Sequence, residues 1–326
     1  MDVAIQLKSV TKTFGRTAAV KDLDLAVPYG GLYGFIGPNG AGKTTTIRLI
    51  LSIFFPDSGE ISVLGHASAF EARNRIGYLP EERGVYRKMR VGAFVRYIAG
   101  LKGMKEPNLD KMIRASLERV GLGGTEHKRC EELSKGMLQK VQVVAAVIHK
   151  PDLLILDEPF SGLDPVSTRL LRDLVLGENR RGATILFSTH VMPQAEEICQ
   201  HVIMIHRGRK VLDEPLASIR SRYDPRIIEF DPLNPGEDLG PGAHLPGVER
   251  VEPGEAGYKI HLVQGTAPAD AMRRIMEIST PARLELSRPR LEDIFIELVS
   301  TAEYSPEDRK QLREGLKNAG DPEAAA

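Results

Sequence analysis

The 326-residue sequence predicts an α/β fold, a parallel sheet covered on both faces by helices, followed by a smaller α+β domain. Three observations predict it. A glycine-rich loop, Gly37 to Thr45, stands between a continuous apolar run, Leu32 to Ile36, and the helix-like spacing of Ile47, Ile50 and Leu51. A second apolar strand, Asp152 to Leu156, is flanked by helical patterns, as strands buried on both faces are. Proline and glycine then crowd residues 224–257, which marks a boundary near 218, and short strands and helices resume beyond it.

Taken in order, residues 1–33 read as short strands: an alternating start at Val3, Ile5 and Leu7, the run Leu23 to Val27, and a turn at Pro28 to Gly31. Two amphipathic segments, Val91 to Gly100 and Leu109 to Val120, predict a helical subdomain over about 87–150. A further helix follows Gly136, and strands at Thr184 to Phe187 and Val202 to Ile205 complete the core. Beyond the boundary, strands are expected at Arg226 to Phe230, Val248 to Val251, Tyr258 to Val263 and Arg283 to Leu286. Helices are expected at Ala269 to Ile278 and Leu291 to Val299. These make a domain over 219–302, and 303–326 read as a charged helix and loose tail.

Composition narrows the function classes. Lys plus Arg number 44 and Asp plus Glu also 44, so no long-range field gathers nucleic acid, and none is expected as partner. Two cysteines, Cys130 and Cys199, are too few for a disulfide framework or a four-ligand zinc site and suit a reducing compartment. The N-terminal MDVAIQLKSVTKTFG lacks the basic-then-apolar pattern of an export signal. The longest apolar runs, such as Val143 to Ile148, fall far short of the ~20 residues a spanning helix needs.

Gly37-Pro38-Asn39-Gly40-Ala41-Gly42-Lys43-Thr44 fits G-x-x-x-x-G-K-[ST] without mismatch. Glycines let backbone N–H groups close on phosphate oxygens, and the following helix adds the positive end of its dipole. Lys43 can then reach the β- and γ-phosphates, and the Thr44 hydroxyl can ligate Mg²⁺. Leu153 to Leu156 lead to Asp157, placed to hold the metal at a strand end, and Glu158, placed to orient or deprotonate water. Ser134 caps a helix beginning at Lys135, Gly136 and Met137, and its free N–H groups make a second anion site. Ser161 to Asp164 and an isolated His190, after a strand, complete the set. Alone, Ser134 to Gly136 reads as a capped helix, the Asp157-Glu158 step as a strand leading into a solvated turn, and His190 as a structural or surface histidine.

Together the five elements resemble the nucleotide-binding subunit of an ATP-binding cassette (ABC) transporter over residues 1 to about 218, in the family's order and spacing. The resemblance implies a P-loop NTPase core, hydrolysis of ATP with Mg²⁺, and a head-to-tail pair of such subunits, identical or different. It further implies that Gly37 to Thr45 bind one ATP while Ser134 to Met137 complete the site across the dimer. Asp164 would link the two sites, Glu158 would be the catalytic base, His190 the γ-phosphate contact, and Phe14 the ring stacked on adenine. A separate integral-membrane permease is implied as partner, which places the chain at the cytoplasmic face of the membrane.

Three positions depart from the commonest family pattern. Glu81, in Ile76-Gly-Tyr-Leu-Pro80-Glu81, stands where a Gln is usual and would lie near the metal and water. Lys135 replaces a Gly and Met137 a Gln. The run IGYLPEERG, the LSKG and the C-terminal Arg288 to Phe295 resemble a prokaryotic exporter subgroup that serves separate permeases, sodium and drug efflux among them. The alternating apolar and basic Gly84 to Val91 then suits a permease's cytoplasmic helix or lipid headgroups.

Two other classes are weighed. ABC ATPases of DNA repair or translation carry a coiled-coil insertion, zinc cysteines or two cassettes, and Leu133 follows Lys43 by only 90 positions. A P-loop phosphotransferase would not need Ser134 to Gly136 or His190. In the C-terminal domain, His244 and His261 lack partners at metal-ligand spacing.

Overall fold

The computed structural model describes residues 2–82, 84–222, 227–234, 245–254, 257–263, 265–287 and 290–303. Contacts divide the chain into two compact units, Met1–Leu216 with Leu298–Ala326, and Ala217–Glu297. Arg226, His244, Arg288 and the expected tail from Ser305 lie outside the described residues.

In the first unit, β1 (Val3–Phe14) and β2 (Thr17–Pro28) form an antiparallel hairpin. Each strand has 12 residues, longer than the short strands expected. The alternation of Val3, Ile5 and Leu7 breaks at Lys8 and Ser9 because the register shifts between Leu7 and Val10, which returns Val10 to the buried face. β3 (Leu32–Ile36) is wholly buried and leads through the glycine loop to α1 (Lys43–Ile50). β4 (Ser58–Val63) pairs with β1, closing a three-stranded sheet of order β2-β1-β4.

β5 (Ile76–Leu79) is followed by α2 (Val91–Leu101), α3 (Leu109–Arg119) and α4 (Lys135–Val147). These three helices contact one another, burying Val91, Phe94, Val95, Ile113 and Leu117, and α4 also rests on β5. The main sheet then gains β6 (Leu153–Asp157), β7 (Thr184–Thr189), β8 (His201–His206) and β9 (Arg209–Pro215), with α5 (Pro165–Arg180) and α6 (Met192–Ile198) between them in the chain, and α7 (Leu216–Arg222) follows β9 in sequence. Its order is β5-β6-β7-β3-β8-β9. The first five strands are parallel, as expected, and β9 runs antiparallel to β8 at the edge.

β7 extends two residues beyond the expected Thr184 to Phe187, taking in Ser188 and Thr189, both fully buried. Hydroxyls survive there because each has a partner: Ser188 bonds Asp157, and the Thr189 Oγ1 accepts from the Val191 N–H at 3.0 Å. β6 likewise ends one residue later than expected, so Asp157 belongs to the strand.

In the second unit β10 (Ile227–Pro232), β11 (Val248–Pro253), β12 (Tyr258–Leu262) and β13 (Pro281–Ser287) form an antiparallel sheet of order β11-β12-β10-β13. Ile228, Phe230, Ile260 and Leu262 pack on Ala271 and Ile275 of α8 (Pro268–Ile278). The opposite face is charged, with Arg283 bridging Glu229 at 2.9 Å and His261 meeting Glu252 at 3.2 Å. α9 (Leu291–Glu303) is the last described element.

Candidate functional site

The order of the main sheet assembles the site. β7 lies between β3 and β6, with Ile36 opposite Thr189 and Asp157 opposite Ser188. The phosphate loop, the Asp157-Glu158 step and His190 therefore leave three adjacent strands at one sheet edge, outside their carboxyl ends.

The loop is held from behind. A Cβ on Gly37 would stand 2.2 Å from the Ile205 carbonyl oxygen, and one on Gly42, whose φ is +107°, 2.4 Å from that of Ala19. Backbone this close tolerates only glycine. The turn at Gly208 joins these parts: its N–H donates to the Ala41 carbonyl at 2.9 Å, and its carbonyl accepts from the Lys21 N–H at 2.8 Å. The Lys43 ammonium is buried and donates to the carbonyls of Gly37 at 2.7 Å and Pro38 at 3.2 Å. Burial lowers its pKa, opposed by the carboxylates of Glu158, Asp157 and Glu81. Asn39 and Gly40 are exposed at the loop's tip, and Thr45 is half-buried in the first turn of α1.

Asp157 is 1% exposed. Its Oδ1 accepts from the Ser188 hydroxyl and stands 3.5 Å from the Thr44 Oγ1, while its Oδ2 is buried without a partner. Burial raises its pKa, against the hydrogen bonds from Ser188 and Thr44. The exposed Glu81 brings its Oε2 within 3.5 Å of the same Thr44 hydroxyl. Among the described residues no three His, Cys, Asp or Glu side chains are grouped to hold a metal alone. A hydroxyl and an orphaned carboxylate oxygen fit Mg²⁺, which binds through one or two carboxylates together with substrate phosphates.

Glu158 is buried, and its Oε1 stands 2.8 Å from the His190 Nδ1 and 4.0 Å from the Lys43 Nζ. Its φ of +51° is uncommon for a residue with a side chain and is held by its N–H, which donates to the carbonyl and hydroxyl of Ser188, both at 3.2 Å. Sequence reasoning passed over Ser188, which ties Asp157 and Glu158 to β7. It also passed over Gln139, whose amide donates to the carbonyls of Glu158 at 3.3 Å and Pro159 at 2.6 Å.

The remaining candidates make local contacts of their own. Ser134 caps α4 by accepting from the Met137 N–H at 3.3 Å, and Lys135 is exposed beside it. A Cβ on Gly136 would meet Leu163 at 3.2 Å. Asp164 caps α5, its Oδ1 accepting from the Ser167 N–H at 2.9 Å, and these bonds lower its pKa. Phe14 is 45% exposed at the end of β1 and stands edge-on to Phe54, centroids 5.4 Å apart. Tyr86, in the segment Gly84 to Val91, stands edge-on to Tyr97 of α2 at 5.6 Å. Cys130 and Cys199 are free and buried, and burial raises both thiols' pKa.

The ABC transporter family matches residues 20–161. The ABC transporter ATP-binding protein YhaQ of Bacillus subtilis is 39% identical over 295 residues, 90% of this chain and 98% of that one. The chain belongs to the ABC transporter ATP-binding proteins. The Nod factor export ATP-binding protein I of Rhizobium sp. is 34% identical, over 91% of this chain and 97% of its own. A solved ATP-binding subunit of an ABC transporter superposes with a TM-score of 0.63 at 31% identity, covering 68% of this chain and 93% of that one. Residues 215–299 match the C-terminal domain of DrrA1-3-like ATP-binding proteins.

This ABC protein is accordingly an ATP-binding subunit and an ATPase of a transporter, as the resemblance of its motifs implied, and the DNA-repair, translation and phosphotransferase readings are not favoured. Subunits of this family work with membrane permeases. Among its described residues no helix is long and apolar enough to cross a membrane.

Proposed function

We propose that this subunit drives an export permease by hydrolysing ATP between two cassettes, with Glu158 as base. The observation that carries the assignment is the buried Glu158 carboxylate, fixed beside the phosphate loop with the His190 Nδ1 at 2.8 Å and the Lys43 Nζ at 4.0 Å.

The N–H groups of Gly37 to Thr45, with Lys43, hold the phosphates, and the exposed ring of Phe14 takes the adenine. Glu158 accepts a proton from water as its oxygen attacks the γ-phosphorus and the bond to the ADP oxygen breaks. His190, oriented by Glu158, contacts the γ-phosphate. Thr44 and Asp157 would hold Mg²⁺, with Glu81 close by, and the ion would supply positive charge against the phosphate oxygens. Ser134, Lys135, Gly136 and Met137 of a second, identical or related subunit complete the site. There the full charge of Lys135 supplements the helix dipole, and Met137 offers no amide. Asp164 stands at the junction of the two sites.

Residues 1–218 form the ATPase and 219–302 an accessory domain. The permease places the subunit at the cytoplasmic membrane face, and the segment Gly84 to Val91 is offered to the permease's cytoplasmic helix. Export is supported by similarity to the Nod factor export ATP-binding proteins.

Glu158→Gln tests the base. Turnover should fall at least tenfold while an ATP-bound dimer accumulates; undiminished turnover overturns the assignment.

A further inference from the structure

Gln139 lies in α4, the helix whose first turn carries Ser134 to Met137, and is 7% exposed. Its amide nitrogen donates to two successive carbonyls, Glu158 at 3.3 Å and Pro159 at 2.6 Å, and its Oε1 is buried without a partner. The two carbonyls fix the amide's orientation, since a flipped group would aim oxygen at oxygen. An apolar side chain of the same volume would fill the space but take the donor from the Pro159 carbonyl and leave that of Glu158 only the Ser161 N–H at 3.3 Å, so the amide is a tie between helix and turn and not packing alone. The turn it grips is the one whose residue Glu158 has a φ of +51°. The same helix touches that segment again, where Gly136 leaves room for Leu163.

We infer that Gln139 is a positioning residue that locks the Glu158-Pro159 turn to α4, so that displacement of this helix's N-terminus by the partner's nucleotide re-aims the Glu158 carboxylate of the same chain. This rests on Glu158 being the base and adds a route between the two ATP sites. Movement of α4 pulls the two carbonyls, and because the Glu158 N–H is anchored on Ser188 the turn rotates about that anchor instead of translating. A shift of about 1 Å at a reacting group costs as much as 100-fold in rate.

The test is ATP turnover by the full-length chain carrying Gln139→Met, which keeps the volume and removes the donor. The kcat should fall at least tenfold, with the KM for ATP within twofold and the thermal midpoint within a few degrees. In a Glu158→Gln background the same change should alter residual turnover less than twofold, because it acts through Glu158. A kcat within twofold of wild type, or an equal loss in both backgrounds, overturns the inference. Should the Met variant not fold, Gln139→Asn withdraws the amide by one methylene and must show the same selective loss of kcat. Wild-type turnover in Glu158→Gln alone would sink the base assignment; a slow Glu158→Gln with an unaffected Gln139→Met sinks only this inference.

Discussion

Replacing His149 by glutamine should remove a specific acid sensitivity. His149 follows α4, its Nε2 3.2 Å from the Ile76 carbonyl, its Nδ1 buried with no partner. The Lys102 ammonium donates to the same carbonyl at 2.7 Å. Burial, with the nearby Lys102 and Arg181 charges, takes the imidazole's pKa from 6.5 down to about 4. A folded-state pKa below the unfolded one means the unfolded chain binds more protons between these values, so stability falls as pH drops through that window. The cost of keeping the ring neutral is RT ln[(1 + 10^(6.5−pH))/(1 + 10^(4−pH))], about 0.2 kcal/mol at pH 7 and about 2 kcal/mol at pH 5. Glutamine can donate to the same carbonyl and never charges. Between pH 7 and pH 5 the His149→Gln chain should therefore lose about 2 kcal/mol less stability than wild type, on the order of 1 M in urea midpoint. The chain has no tryptophan, so far-UV circular dichroism is the natural readout. Equal losses for the two chains would refute the reasoning.

Gly42→Ala would force a Cβ to 2.4 Å from the Ala19 carbonyl at a φ of +107°, costing about 3 kcal/mol, and should abolish nucleotide binding in calorimetry. Phe14→Ala should weaken ATP binding roughly 5- to 30-fold, the ~1–2 kcal/mol of a ring stack, while Phe14→Tyr preserves it; equal affinity in all three chains would remove Phe14 from the site. Glu81→Gln removes a carboxylate 3.5 Å from the Thr44 hydroxyl and should raise the Mg²⁺ concentration for half-maximal turnover about threefold or more. Unchanged Mg²⁺ dependence would clear Glu81 of that role.

Much of the site was legible because it is written in contiguous residues. The Gly37 to Thr44 loop and the Leu153 to Glu158 strand end each carry their chemistry within one short segment, where local backbone geometry and side-chain type suffice. Ser188 was not legible. It continues a strand pattern with a small polar residue, and only the register of β7 against β6, which sets it opposite Asp157, gives the hydroxyl its use. Gln139 likewise is one polar residue within an expected helix, and only the fold brings the carbonyls of Glu158 and Pro159 to its amide.

The three-stranded sheet divided in the same way. Alternation announced strands at both ends of residues 3–28, but the register shift after Leu7 hid their length and their pairing as one hairpin.

The sequence alone determined where the glycine-rich loop lies and which strand ends bear carboxylates, because those properties follow from local conformation and chemical identity. The tertiary structure decided the rest. Placing β7 between β3 and β6 brings Glu158 within 2.8 Å of His190 and 4.0 Å of Lys43, residues separated by 32 and 115 positions of chain. Distances of that kind depend on strand order, which no local pattern encodes.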